Sequence, residues 1–247
     1  MNAAPADQIR LLDLQAIDSK LDQLAHRRRT LPEHAEIEKA SADHTALKDL
    51  VVAAEAQQGD TTRELTKAEG DVEQVRARSA RNQQRLNSGA ITSPKDLENL
   101  QHEIGSLAKR QGDLEEVVLE VMERLESAQG RVVELGARLE HSTVVLTEAE
   151  ARRDAAFAEI DGEAEKVKRD REAVAAVIPA DLLKVYGKLR EQQGGVGAAR
   201  LYQRRCEGCR TEFSITELNA IKAEPADKVV RCENCSRILV RTADSGV

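Results

Sequence analysis

The chain has 247 residues, with aromatics at 2%, charged residues at 33% and no tryptophan. Aromatic rings supply much of the buried area of compact cores, so this composition excludes a large globular core and points to long helices or a coiled coil. The net charge of -7 argues against wholesale nucleic-acid binding, and an apolar fraction of 40% is too high for a disordered chain.

The N-terminal stretch Met1–Arg10 has no apolar core of the kind an export signal carries. No segment approaches the ~20 apolar residues of a membrane span. The expectation is a cytoplasmic chain without membrane association.

A first helix is expected from about Asp7. Leu14, Ile17, Leu21, Leu24 and Leu31 alternate at three- and four-residue spacing, with Arg28 the polar exception. Pro32 then removes a backbone donor and clashes with the preceding turn, predicting a break or kink near Leu31–Glu33. A second helix, from about Glu33 to Asn87, follows one 3-4 register from Ile37 to Leu86, and ten of its fifteen seam positions are apolar. Asn87-Ser88-Gly89-Ala90 reads as a turn, Ser93 as a helix N-cap and Pro94 as the first helical position.

The third helix carries the strongest pattern. One register runs from Leu97 to Val177 without a stutter, and nineteen of its 24 seam positions are apolar; Gln111, Ser142, Arg153, Glu163 and Asp170 are the exceptions. A 3.5-residue repeat held this long implies left-handed supercoiling against a partner. At 1.5 Å per residue the helix spans roughly 125 Å. Residues 8–87 and 94–177 match in length and are joined by a short turn, so the partner is internal: an antiparallel hairpin with residue i opposite about 183 minus i. That register brings Glu163 near Lys20 and Pro32 near Arg152. Parallel dimerisation would leave the matched lengths unexplained.

Pro179 ends the long helix, and a short helix from Ala180 to about Gln193 carries Leu182, Leu183, Tyr186 and Leu189. Gly194-Gly195-Val196-Gly197 reads as a hinge. It lacks the Gly-Lys-Ser/Thr that completes a phosphate loop. The expected organisation is a hairpin over 1–178, with its tip near 87–94 and kinks near 32 and 150; a short helix and glycine hinge over 179–199; and a ribbon over 200–247. The fold class is mainly α, a long kinked antiparallel coiled-coil hairpin with a small C-terminal β zinc ribbon.

All four cysteines lie in that last segment, as Cys206-Glu207-Gly208-Cys209 and, 22 residues later, Cys232-Glu233-Asn234-Cys235. Each C-x-x-C turns tightly enough to aim two thiolates at one ion, and two such knuckles complete a tetrahedral site. Four soft ligands with no open position make one structural Zn²⁺, although an iron or iron–sulfur site uses the same ligand set. A redox pair of C-x-x-C motifs would need a βαβ context, which is absent. Gly208 and Asn234 tolerate tight turns, Phe213 and Ile215 would cover the site, and Thr216 with Glu217 would start a short helix through Ile221. Val229–Arg231 and Ile238–Val240 read as strands flanking the second knuckle.

Arg200, Arg204, Arg205 and Arg210 cluster about the first knuckle, and Arg231, Arg237 and Arg241 about the second. One reading is phosphate contact in DNA or RNA, with Tyr202 or Phe213 stacking on bases. The other is that arginines balance a thiolate-rich site, since Glu207, Glu212, Glu217 and Glu233 are interleaved. No Ser/His/Asp or Cys/His arrangement stands out, and a hairpin encloses no pocket, so neither catalysis nor a small-molecule substrate is expected.

These motifs resemble a known family, bacterial coiled-coil hairpin proteins with a C-terminal C4-type zinc ribbon. The resemblance rests on Ser93-Pro94-Lys95-Asp96-Leu97-Glu98-Asn99-Leu100-Gln101-His102-Glu103-Ile104, on Leu114–Glu123, on Ile178-Pro179 and Tyr186, and on Arg231–Leu239 around the second knuckle. Similar sequences usually carry Gly where this one has Ser236, and an aromatic where it has Val240. The resemblance implies an elongated kinked hairpin with the ribbon near its base. It also implies a regulatory adaptor: better-known relatives are linked to flagellar gene control, through an alternative sigma factor and messenger RNA, or to type III secretion components. The expected role is a non-enzymatic zinc-binding scaffold. It would bind protein partners through the coil and protein or nucleic acid through the ribbon, the alternatives being a nucleic-acid binder acting mainly through the ribbon arginines, or a structural spacer.

Overall fold

The structure, a computed structural model, describes residues 1–246. The last residue of the predicted ribbon segment, 247, lies outside the described residues. Three long helices come first: α1 (Pro5–Arg29), α2 (Pro32–Asn87) and α3 (Pro94–Ala176). The chain divides into two compact units, one of Met1–His34 with everything from Ala151 onward, the other Ala35–Glu150.

In the unit 35–150, α2 and α3 pair as the repeat dictates. Every predicted seam position of α2 from Ile37 to Leu86 is at least half-buried, including the polar His44, Gln58, Ser79 and Asn82. Cross-strand ion pairs show the antiparallel sense: Arg78 with Glu103, Arg124 with Glu64, and Arg76 with Glu115. These exposed pairs set register more than stability. At the turn Gly89 takes φ +67°, and Ser93 Oγ accepts from the Asp96 N–H at 3.4 Å.

In the other unit, Lys20 pairs with Glu163 at 2.8 Å, as the hairpin register requires. The helix breaks at Thr30-Leu31, before Pro32. Around this break the Arg28 guanidinium lies 3.9 Å above the Phe157 ring, whose centroid is 5.7 Å from that of His34. The uninterrupted register predicted for α3 fails near its end. Asp170 and Val177 point to solvent, while Arg171 and Ile178 turn inward. The spacing from Glu163 through Val167 to Arg171 is four and four, a stutter that locally unwinds the coil. Its cause is the helix α4 (Ala180–Gln192), which asks α1 and the end of α3 to serve a third neighbour. Leu11, Leu14, Ile178, Leu182, Tyr186 and Leu189 form that joint core.

After α4 the chain reverses at Gly194 and Gly195, φ +66° and +93°. Gly197 then passes so close that a Cβ would sit 2.6 Å from the Tyr186 carbonyl. Strands β1 (Ala198–Tyr202) and β2 (Arg205–Cys206) follow, then α5 (Ile215–Ala223), β3 (Val230–Arg231) and β4 (Ile238–Val240). The sheet order is β2-β1-β4-β3, with β1 and β4 parallel and the other neighbours antiparallel. Strand β1 and its parallel pairing were not foreseen. Strand β4 matches the expected Ile238–Val240, and β3 begins at Val230, one residue later than the expected Val229. Helix α5 starts earlier than expected because Ser214, not Thr216, caps it: Ser214 and Glu217 form a reciprocal capping box. Residues 1–3 dock beside β3, with the Ala3 N–H donating to the Asp227 carbonyl at 2.7 Å.

Candidate metal centre

Each knuckle is built the same way. Cys206 opens the first at the end of β2, and its carbonyl accepts from the Arg210 N–H at 2.7 Å. Cys232 opens the second just after β3, and its carbonyl accepts from the Ser236 N–H at 2.8 Å. Cys206 Sγ accepts backbone N–H bonds from Gly208 and Cys209, and Cys232 Sγ from Asn234 and Cys235. The left-handed residues are those after each second cysteine, Arg210 at φ +62° and Ser236 at φ +60°. Gly208 and Asn234 lie inside the knuckles but do not take the left-handed conformation. Gly208 is needed for space instead, since a Cβ there would meet Ala199 Cβ at 2.9 Å.

The four Sγ atoms lie within 4.8 Å of one another; Cys206 to Cys235 is 4.0 Å and Cys209 to Cys232 is 3.8 Å. A tetrahedron with ~2.3 Å zinc–sulfur bonds has edges of about 3.8 Å. All four donors are soft, so the residues fit one structural Zn²⁺ with no open position. Without a cation the cluster is electrostatically awkward. Burial pushes the Cys232 thiol up to about 12 and raises Cys206 as well, the knuckle N–H bonds offsetting only part of this. Burial also opposes ionisation of Cys209, but the hydroxyl and N–H of Thr211, with the neighbouring thiols, bring it down to about 6. A bound divalent ion supplies the charge that holds all four as thiolates.

Around the sulfurs lie Ala199, Leu201, Phe213, Leu218, Ile221 and Leu239. Phe213 covers the site as expected, but at 4% exposure it is not available to stack on bases. Ile215 does not cover the site; it is 67% exposed, because the capping box turns it outward at the start of α5.

The seven arginines divide. Arg237 turns inward, its Nε donating to the Val196 carbonyl at 2.9 Å and Nη2 to that of Gln193 at 2.7 Å. Arg241 donates to the carbonyls of Ile221, Glu224, Pro225, Ala226 and Lys228, closing the C-terminal end of α5 and the loop after it. Arg200, Arg204, Arg205, Arg210 and Arg231 make no side-chain hydrogen bond or ion pair among the described residues, and all but the half-buried Arg200 are exposed.

A second polar cluster escaped the sequence reading. Asp18, only 2% exposed, accepts from Arg171 Nε at 2.6 Å and from the Tyr186 hydroxyl at 2.7 Å. Arg190 grips both oxygens of Asp22 and lies 3.5 Å from Asp18. Gln15 Oε1 accepts the Gly197 N–H at 2.7 Å, and its Nε2 donates to the Gly195 carbonyl at 2.9 Å. Gln15 and Asp18 continue the i, i+3, i+4 stripe of Gln8 and Leu11, a second buried face beside the coil seam. That stripe was the available signal, masked because three of its four members are polar.

Comparison with known proteins agrees with this architecture. Residues 14–194 match the CT398-like coiled coil hairpin domain, and residues 205–239 match the C4-type zinc ribbon domain. An uncharacterized protein of Mycobacterium tuberculosis strain H37Rv is 36% identical over 98% of both chains. An uncharacterized protein of Mycobacterium leprae is 32% identical over 88% of this chain and 93% of its own. A solved structure from Mycobacterium smegmatis superposes with a TM-score of 0.87 at 34% identity, covering 98% of this chain and 100% of that one. The structure of CT398 from Chlamydia trachomatis, at 18% identity and a TM-score of 0.73, shares the fold over 96% of this chain and 98% of its own. With both family domains matched in order and the four cysteines gathered at one point, the chain belongs to the CT398-like coiled-coil hairpin family and carries that family's C4-type zinc ribbon.

Proposed function

We propose that the chain is a non-enzymatic, zinc-stabilised cytoplasmic adaptor whose coiled coil binds protein partners and whose ribbon contacts protein or nucleic acid. The observation that carries this reading is the set of large aliphatic side chains outside the seam, among them Val52, Leu119, Met122 and Val133, all exposed. A two-stranded coil is complete without them, and a contiguous run of such residues in solvent marks an interaction surface. No helix among the described residues is long and apolar enough to cross a membrane. The test is affinity capture from the native host in the presence of nuclease. Recovery of a specific protein supports the adaptor, and its absence rejects it.

A second reading, nucleic-acid binding as the main activity, is favoured by the five arginines around the knuckles that have no side-chain partner among the described residues. Titration against DNA and RNA at two salt concentrations separates the two. Phosphate contact predicts affinity that falls steeply with salt and with Arg204→Ala or Arg205→Ala. Absent or salt-insensitive binding rejects it.

A further inference from the structure

In the unit 35–150, ion pairs mark the two flanks of the coil. Arg78–Glu103 and Arg124–Glu64 join residues six positions after seam residues, whereas Arg76–Glu115 joins residues four positions after them. The second flank, followed away from Arg76, changes character. There Val52, Thr62 and Thr66 of α2 share a face with Leu119, Met122 and Val133 of α3. Val133 is 73% exposed and Leu119 61%. The threonine hydroxyls bond back to their own helix, Thr62 to the Gln58 carbonyl at 2.8 Å and Thr66 to that of Thr62 at 3.0 Å, so their methyl groups are left outward. Gly59 and Gly136 fall on the same face, with open space where a Cβ would stand at Gly136. A mid-helix glycine costs about 1 kcal/mol relative to alanine and leaves room for a close approach.

A groove of about 540 Å³ opens at one end of this face. Val72, Val118 and Leu119 line it, and Glu69, Glu73 and Glu115 rim it. Arg76, the cation of the rim, is engaged by Glu73 at 3.1 Å and Glu115 at 2.7 Å. The other charges along the face are the exposed Glu55 and Glu126 and the Arg63 guanidinium, which pairs with Asp60 and reaches to Gly59. The face is therefore apolar along its centre and acidic along its edges. It repels a phosphate backbone, and a second copy laid on it would bring glutamates against glutamates.

We propose that this face is the docking groove for a basic amphipathic helix of a partner protein. The helix lies along α2 and α3, its apolar side over Leu119, Met122 and Val133 and its Lys/Arg flanks beside Glu55, Glu69 and Glu126. From Leu119 to Gly136 the face runs about 27 Å, the length of a five-turn helix. Such helices anchor through side chains at i, i+3 or i+4, and i+7. The inference rests on the adaptor reading and gives it a site and a partner chemistry.

The test uses the full zinc-loaded chain and two synthetic peptides of equal helix content, each with a leucine stripe at that spacing, one flanked by lysines and the other by glutamates. Binding is followed by fluorescence anisotropy. The lysine-flanked peptide is expected to bind, more weakly as salt rises, and the glutamate-flanked one not to bind. Leu119→Glu and Val133→Glu should each weaken binding by roughly tenfold or more, whereas Val144→Glu, on the outward side of α3, should not. All three positions are solvent-exposed, and unchanged helix content and melting verify that the fold is intact. Equal binding of both peptides, or insensitivity to both variants, overturns the proposal. In the host, a photo-crosslinker at position 133 should capture a basic helix of a partner; capture of a second copy of the chain overturns it. If nuclease-resistant capture of a partner persists unchanged in the Leu119→Glu, Val133→Glu double variant, this groove is rejected while the adaptor reading stands. If no partner is captured at all, both fall.

Discussion

Asp18 is a carboxylate buried in a chain otherwise made of solvated charges. Its stability rests on Arg171, Arg190 and the Tyr186 hydroxyl together, since removing one member of a buried ionic cluster leaves the others uncompensated. Asp18→Asn keeps the shape and removes the charge, and is expected to cost about 1.5–3 kcal/mol, the range for a hydrogen bond to a charged group, read by urea unfolding. Tyr186 adds a pH dependence. Burial first, then the hydrogen bond to Asp18 and its negative charge, holds the phenol above its ordinary value. The folded state thus favours the protonated phenol. That contribution is complete below the unfolded value of about 10 and is lost as the pH rises beyond it. Stability is expected to fall above pH ~10, and Tyr186→Phe should flatten that fall while lowering stability at neutral pH by about 1 kcal/mol.

At the scale of elements, the two knuckles are near-copies that differ in what occupies their left-handed position. Arg210 and Ser236 both adopt a conformation that costs an L-residue about 1–2 kcal/mol. Ser236→Gly relieves that strain without touching a ligand and is expected to raise the thermal midpoint of the zinc-loaded ribbon, by about 1 kcal/mol of stability. An unchanged or lowered midpoint would show that the serine side chain compensates. Helix α3 gives a second element-scale lesson. Its seam residues were legible over most of its length because a heptad repeat is a local property. The stutter at Val167–Arg171 was not, because its cause, α4 packing against α1, lies in other elements.

For the whole molecule, the division into two units predicts how metal loss propagates. The sulfurs lie in the core of the ribbon with Phe213, Leu239 and Ile221, so chelation empties that core of its organising centre. Treatment with a strong chelator is expected to abolish amide protection across 198–240, measured by hydrogen exchange, while residues 40–145 keep theirs. Uniform loss in both segments would show that the coil depends on the metal, and unchanged protection would show that the ribbon stands without it.

The seam of α2 and most of α3, the turn at 88–93 and the four cysteines could be named from the chain alone. Each is encoded by spacing within a few turns of helix or within one knuckle, where covalent geometry sets the distances. Tertiary structure decided the rest: the parallel pairing of β1 with β4, which joins Ala198–Arg200 to Ile238–Val240; the turning of Arg237 and Arg241 onto internal carbonyls; and the burial of Gln15 and Asp18 against α4 and the glycine turn. These depend on contacts between residues far apart in sequence, and a polar side chain reads the same in a linear sequence whether it ends in water or beneath a neighbouring helix.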